Sequence, residues 1–197
     1  MKKPYFLVLL LLMAGAIHSC KTIKELTAFA KCKFRHTTIN NVTLAGVDVK
    51  KVKNYKDLNL TDAGKVTANV VRGKLPLQFT INVEIKNPNN QLAAVNKLEW
   101  IALINDVEIS QGNLNKRLEI APNGGTATLP LTISSDLVKL LGKDNREKLW
   151  DFAFGLSNED GSPSKKITLK VKPTIMVGKM AITYPGYIKL SKDFAEE

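Results

Sequence analysis

The sequence predicts a mainly β protein, an antiparallel sandwich or barrel of about seven strands with one or two short helices. The stretch Leu75–Asn90 alternates apolar and polar residues, which is typical of a strand with one buried face. Asn105-Asp106 and Pro122–Gly125 have the composition of tight turns between strands. The helical segments interrupt the strands without a βαβ alternation, and this argues against a doubly wound sheet.

The N-terminus has the pattern of an export signal. Two lysines precede the apolar run Tyr5–Ala16, which is too short to span a bilayer as a mature helix. The next four residues, Ile17–Cys20, resemble the lipobox of bacterial lipoproteins. The resemblance implies that residues 1–19 are removed and that Cys20 carries a diacylglycerol thioether and an acylated amine. Such a modification would anchor the protein stably, because two or more acyl chains hold a protein on a membrane whereas one holds it only marginally. The alternative is an ordinary secretory signal that ends by chance in a cysteine.

Composition places one domain after this signal. The chain has 197 residues, 44% of them hydrophobic, which suffices for one folded core. After cleavage at Cys20, Cys32 is the only free thiol, so no disulfide can form within the chain. We expect Cys32 to be a small buried apolar side chain, although a reactive or intermolecular thiol is the alternative.

The first half of the mature chain predicts a helix, a strand and a second helix. Lys21–Arg35 has apolar residues at every third position and predicts a short amphipathic helix after the anchor. Ile39–Val52 predicts the first long strand, with a bulge at Gly46. Thr61–Arg72 has valines at helical spacing; Thr61 or Asp62 is the expected N-cap, and Gly73 the expected end.

The second half predicts mostly strands. Lys97–Ile104 and Val107–Leu118 form a hairpin. The strand after Pro122–Gly125 alternates cleanly as far as Ile133, and Pro130 predicts an edge or a bulge there. The remaining elements are a helix capped by Ser134–Asp136, a second helix or a strand in Asp144–Leu156, a loop in Asn158–Ser164, and strands in Ile167–Val171 and Met180–Leu190.

Three stretches follow one another in the order of a known domain: LPLQFTINVEIKNPNN, LEWIALINDVEISQGNL and IAPNGGTATLPLTIS. They resemble the water-stress/hypersensitive-response domain of the LEA type 2 (LEA14-like) family. That pattern has an Asn-Pro-Asn strand end, a glycine after the second hairpin strand and a Pro-Gly turn before a Leu-Pro strand. The matching residues are Asn87–Asn89, Gly112 and Pro122–Gly125, and the resemblance covers Ile39–Leu190. Lipid-anchored members from Bacteroidota envelopes also carry a Cys and a Phe here, at Cys32 and Phe34.

The resemblance implies a seven-stranded, Ig-like β-sandwich with one or two helices and no catalytic residues. Members of the family are associated with desiccation and stress tolerance. Together with the lipobox, the resemblance divides the chain into three parts. These are a signal peptide (1–19), a lipidated cysteine with a tether or short helix (20–38) and a sandwich domain (39–192).

We expect no enzyme, cofactor or metal site. A serine or cysteine nucleophile usually needs a histidine-type base, and His36, in a Lys/Arg-rich stretch, is interpreted as a solvated surface residue. A zinc site needs three or four ligands, which one histidine and one cysteine do not supply. Asn123–Gly125 opens no helix and is no phosphate loop. A nucleic-acid partner is not expected, because the protein is exported and lacks aromatic residues interleaved with basic ones.

Two basic clusters are the candidate contact sites. Lys166, Lys170 and Lys172 share one strand face, and Lys50, Lys51 and Lys53 form a second cluster. These lysines are expected to meet anionic headgroups or glycolipid. The alternative is solubility, because lysines on exposed strands discourage aggregation.

Two functions remain open for a lipid-anchored monomer. In the first, the sandwich binds an envelope protein or peptide. In the second, a stress-protective or structural lipoprotein lies with its basic face on the membrane. Lys21 after Cys20 does not resemble the aspartate that retains lipoproteins in the inner membrane of enteric bacteria, which favours the outer membrane. Glu25 is the only acid in Lys21–Leu26, so the stretch does not resemble the acidic run associated with surface export in Bacteroidota, which favours the periplasmic face.

Overall fold

The computed structural model describes residues 21–49, 52, 55–141, 152–153, 155–156 and 166–190, with only the backbone at 36, 55 and 141. The predicted signal peptide, Cys20 and the loop at 158–164 lie outside the described residues. So does most of the predicted second helix at 144–156, of which residues 152–153 are described and helical.

The described chain contains three helices of at least five residues and eleven strand segments. Helix α1 covers residues 21–30. The others, in chain order, are β1 Lys33–Leu44, β2 Val47–Asp48, a 3-10 turn Tyr55–Asp57, α2 Leu60–Val71, β3 Pro76–Asn87, β4 Ala93–Val95, β5 Lys97–Ile104, β6 Val107–Leu114, β7 Leu118–Ile120, β8 Gly125–Asp136, α3 Leu137–Leu141, β9 Ile167–Val177, β10 Met180–Thr183 and β11 Ile188–Leu190.

The strands form two main antiparallel sheets, and the predicted mainly β sandwich class is confirmed. The first sheet has the order β2-β1-β3-β8. The second sheet has the order β10-β9-β5-β6, and β11 also pairs with β9. β4 and β7 form a separate two-stranded ribbon. The number of strand segments exceeds the predicted seven because the short segments β2, β4 and β7 count separately and because the predicted last strand is divided.

The core lies between the two sheets and is built on β3. Phe79, Ile81, Val83 and Ile85 are each at most 1% exposed, as the alternation of this stretch predicted. Burying such a side chain contributes about 1.5–3 kcal/mol. Strand β8 beside it and strands β5 and β9 of the second sheet supply further apolar residues, and all of them belong to one continuous cluster with β3.

The N-terminal part of the described chain belongs to this core. Phe29 on α1 is completely buried and meets Phe34 on β1 edge to face, with ring centroids 5.5 Å apart. The predicted helix therefore ends before Lys33, and β1 begins six residues before Ile39. The division at residue 39 falls inside β1. Spacing failed here because Cys32 continues the three-residue apolar pattern past the end of α1, whereas Phe34 already pairs with Ile85 of β3.

The boundaries of the first long strand and of α2 need further correction. Gly46 does not mark a bulge: with Ala45 it forms a turn at positive φ between β1 and β2. The N-cap of α2 is Asn59, whose Oδ1 accepts a hydrogen bond from the Asp62 N–H at 2.9 Å. The predicted helix end is confirmed, because Gly73 has φ +71° and donates to the Val70 carbonyl.

The predicted turns are confirmed. Asn105 and Asp106 both have positive φ, 49° and 66°, as a type I′ hairpin between β5 and β6 requires. Pro130 lies on β8, an edge strand of the first sheet. Asp136 accepts the Val138 N–H and so caps α3.

Two predicted strands are shorter than expected. The second hairpin strand ends at Leu114, and Leu118 starts the separate strand β7. The segment Met180–Leu190 is divided into β10 and β11 around Pro185-Gly186, because proline has no N–H for the ladder.

Candidate functional site

The lysines of β9 lie on the outer face of the second sheet. Ile167, Leu169 and Val171 point into the core, so the alternating residues face outward. Lys170 and Lys172 are half-buried there, and Lys166 is exposed just before the strand. The structure thus brings these three predicted residues to one side of one sheet.

Neighbouring strands add groups that the sequence did not associate with these lysines. Lys189 of β11 lies directly opposite Lys170, and on the other side Ile101 of β5 lies opposite it. Glu99 of β5 lies opposite Lys172. The Lys172 ammonium also lies 5.6 Å from the centroid of the Tyr187 ring, in cation–π range. We call this surface the lysine face; its members are Lys166, Lys170, Lys172, Lys189, Tyr187, Glu99, Ile101 and Asp106.

The hairpin turn carries an acid into this face. Lys166 Nζ donates to Asp106 Oδ2 at 2.7 Å. The hydrogen bond from Lys166, and then its charge, hold the pKa of the Asp106 carboxyl below its ordinary value. Lys189 and Lys170 act in the same direction, so their positive field reaches the turn.

Lys170 and Lys189 are the unbalanced pair of the lysine face. They occupy directly opposite positions on adjacent strands, where like charges destabilise the pairing. No carboxylate in the described part of the chain forms an ion pair with either of them.

The other predicted site residues divide into two groups. Cys20, Lys50, Lys51 and Lys53 lie outside the described residues, as does the side chain of His36. Cys32 is buried, as predicted; its thiol donates to the Ala28 carbonyl at 3.4 Å. Burial raises the pKa of the thiol to about 12, so it stays protonated at neutral pH.

Asn87 has a role that the sequence did not reveal. It is completely buried, and its Nδ2 donates to the carbonyls of Gln91 and Ile120 at 2.8 and 3.1 Å. Its Oδ1 accepts from the backbone N–H and the side-chain amide of Asn89. Asn89 in turn donates to the carbonyl of Ala28 at the end of α1. The Asn-Pro-Asn motif therefore ties α1, β3 and β7 together.

An ion pair between buried Glu25 and partly exposed Arg117 also fixes α1. Glu25 is 7% exposed and accepts a hydrogen bond from Arg117 Nη2 at 2.9 Å. Arg117 Nε donates to Glu119 at 2.6 Å. These two hydrogen bonds raise the pKa of the Arg117 guanidinium. Because 92 positions separate Glu25 from Arg117, no local pattern indicates the contact.

The described residues contain no group of three or more His, Cys, Asp or Glu side chains placed to hold a metal ion.

None of the helices described is both long enough and apolar enough to cross a membrane.

Comparisons with known proteins give only distant likenesses. No protein-family model matches the chain, and neither does any curated protein. A protein from Archaeoglobus fulgidus, known from its crystal structure, is similar at 17% identity and a TM-score of 0.33, over 62% of this chain and 87% of its own. A candidate late embryogenesis abundant (LEA) protein, known from its solution structure, is similar at 14% identity and a TM-score of 0.33. That likeness covers 93% of this chain and 90% of the other.

Proposed function

We propose that this protein is a non-enzymatic, lipid-anchored β-sandwich of the cell envelope that binds an acidic segment of another envelope protein or peptide. We also propose that it is a lipoprotein of the LEA type 2 family, a monomer held by Cys20 at the periplasmic face of the outer membrane. The lipobox-like Ile17–Cys20 and the ordered match of three sequence stretches support these assignments.

The observation that carries the binding proposal is the opposed pair Lys170 and Lys189. Two cations held side by side by the sheet register repel each other, and a carboxylate placed between them would relieve that repulsion. Tyr187 and Ile101 adjoin the pair and offer apolar contact area.

The second candidate is a stress-protective or structural lipoprotein whose lysines lie on anionic lipid or glycolipid. The formal net charge, +11 for the whole sequence and +9 once Lys2 and Lys3 leave with the signal peptide, favours such a surface. The acids of the lysine face count against it, because Asp106 pairs with Lys166 and Glu99 lies opposite Lys172. A face of mixed sign suits the patterned charges of a protein better than a bilayer.

The test is binding of a fluorescent hexaglutamate peptide, measured by anisotropy at low and high salt. Protein that begins at Lys21 is suitable, because every buried side chain that the structure describes lies between Glu25 and Leu190. Wild type should bind the peptide at low salt, and high salt should weaken binding by screening. The double variant Lys170→Glu, Lys189→Glu should lose it.

The matched control is Lys116→Glu with Lys139→Glu, which makes the same change in net charge at exposed positions outside the lysine face. It should keep most of the binding. Equal losses of peptide binding in the two double variants would mean that net charge alone explains the binding, and this would contradict the proposal. Binding to anionic vesicles that depends on Lys170 and Lys189, without binding to the peptide, would support the second candidate instead.

A further inference from the structure

Helix α2 contributes little to the core. Val66 is its buried residue, and Val70 is packed only partly against the same cluster. The sheet element it adjoins is the short edge strand β2. Most of the helix surface therefore faces away from the sandwich.

The outward side of α2 exposes the two most solvent-accessible large apolar side chains of the described chain. Leu60 is 91% exposed and Val71 is 80% exposed. Leu60 and Val71 are eleven positions apart on an α-helix, so their directions around the axis differ by about 20° and they lie about 16 Å apart along it. The residues between them on that side are small, uncharged and exposed. We call this surface the α2 outer face; its members are Leu60, Gly64, Thr67, Ala68 and Val71.

Cations border the α2 outer face. Arg72 and Lys74 are exposed just after the helix, and Lys65, half of whose side chain is exposed, lies within it. Asp62 accepts a hydrogen bond from Lys65 and another from Asn59. Over residues 50–74 the sequence has seven basic and two acidic residues. The apolar side of the helix thus lies in a part of the chain where basic residues outnumber acidic ones.

We infer that the α2 outer face is a docking surface for an anionic lipid bilayer, separate from the lysine face. A bilayer interface accepts apolar side chains and bordering cations in one plane, which is how an interfacial helix binds. Leu60 and Val71 enter the acyl boundary at the two ends of α2, and the small residues between them let the helix lie flat. Arg72 and Lys74 meet lipid phosphates.

The first experiment is co-sedimentation of the protein that begins at Lys21 with vesicles of phosphatidylcholine alone or mixed with phosphatidylglycerol. Wild type should bind only the vesicles that contain phosphatidylglycerol. The double variant Leu60→Ser, Val71→Ser should bind them about tenfold more weakly, because it removes the apolar groups that enter the bilayer. Circular dichroism and thermal unfolding should be unchanged, since neither side chain is buried.

The matched control is Val107→Ser with Met180→Ser, which removes the next two most exposed large apolar side chains of the described chain. This variant should bind vesicles as wild type does. Failure of wild type to bind, or equal losses in the two variants, would overturn the inference. So would concentration-dependent self-association that Leu60→Ser, Val71→Ser abolishes, because the occupant would then be a second copy of the chain.

The lysine-face variant Lys170→Glu, Lys189→Glu separates this inference from the proposed function. It should lose the hexaglutamate peptide but retain vesicle binding, whereas the α2 variant should do the reverse. If the lysine-face variant lost vesicle binding and the α2 variant kept it, the role of α2 would be overturned.

A position-specific measurement completes the test. Ala68→Cys can be labelled with an environment-sensitive dye, because Cys32 is buried and leaves the new cysteine as the accessible thiol. Its emission should shift to the blue on phosphatidylglycerol vesicles. The same dye at Thr132→Cys, on the outer side of the first sheet, should not shift. A shift at both positions, or at neither, would contradict docking through α2.

Discussion

Asn87 shows how one buried amide can organise several segments. Both of its side-chain polar atoms are satisfied by groups from the loop after β3 and from β7. A buried amide with partners on two sides is costly to remove, because each partner keeps its desolvation cost. The motif that carries the family resemblance therefore has a structural role here.

Asn87→Ala should lower the free energy of unfolding by about 2–4 kcal/mol, since one buried and one partly buried carbonyl lose their donor. Urea denaturation measures this loss. The control is Asn90→Ala, an exposed amide in the same loop, for which we expect a change within about 0.5 kcal/mol. Similar values for the two variants would contradict the role given to Asn87.

Cys32 predicts a dependence of stability on pH. Its pKa is raised from 9.0 to about 12 in the folded protein by burial, so the unfolded thiol ionises first as pH increases. Its contribution to stability is complete below pH 9 and declines as pH rises toward 12. The stability of wild type relative to Cys32→Ala should therefore fall over this range in denaturation curves. A constant difference would show that the folded thiol ionises normally.

At the scale of elements, contacts between distant segments position the parts that periodicity cannot place. The Glu25–Arg117 ion pair and the Asn89–Ala28 hydrogen bond hold α1 against the end of the sandwich. The strand Leu75–Asn90 was predictable because its alternation is local. The start of β1 and the pairing of Lys170 with Lys189 were not, because register between distant strands leaves no pattern in either strand alone.

Arg117→Met should destabilise the protein by about 1–3 kcal/mol, because it leaves the buried Glu25 carboxylate without its partner while Arg117 itself is partly exposed. Thermal and urea unfolding measure the change. Glu119→Gln, at the exposed end of the same network, should cost less than about 1 kcal/mol. A larger loss of stability from Glu119→Gln than from Arg117→Met would contradict this prediction, because the contact with Glu119 would then matter more than the contact with Glu25.

Substitution by alanine should have opposite effects on stability at two of the glycines. A Cβ at Gly112 on β6 would overlap the ring of Trp100, so Gly112→Ala should cost about 1–3 kcal/mol. Gly64 on α2 has open space around it, so Gly64→Ala should stabilise the helix by about 0.5–1 kcal/mol. Chemical denaturation compares the two. Stabilisation by Gly112→Ala would contradict the packing of Trp100 against β6.

At the scale of the whole molecule, the sandwich carries two separate candidate binding surfaces. The lysine face lies on the second sheet, and helix α2, which bears the α2 outer face, adjoins β2 at the edge of the first sheet. The sequence could place Lys166, Lys170 and Lys172 on one side of a strand. It could not supply Lys189, Tyr187 and Asp106 beside them, because these residues arrive from other strands and turns.

Labelling with a radioactive fatty acid tests most directly the proposal that this sandwich is a lipid-anchored envelope protein. Wild type should incorporate the label and sediment with membranes. Cys20→Ala should lose the label and keep its leader, because processing of a lipobox depends on the cysteine. An unlabelled wild type that is cleaved and released from the membrane would contradict the account.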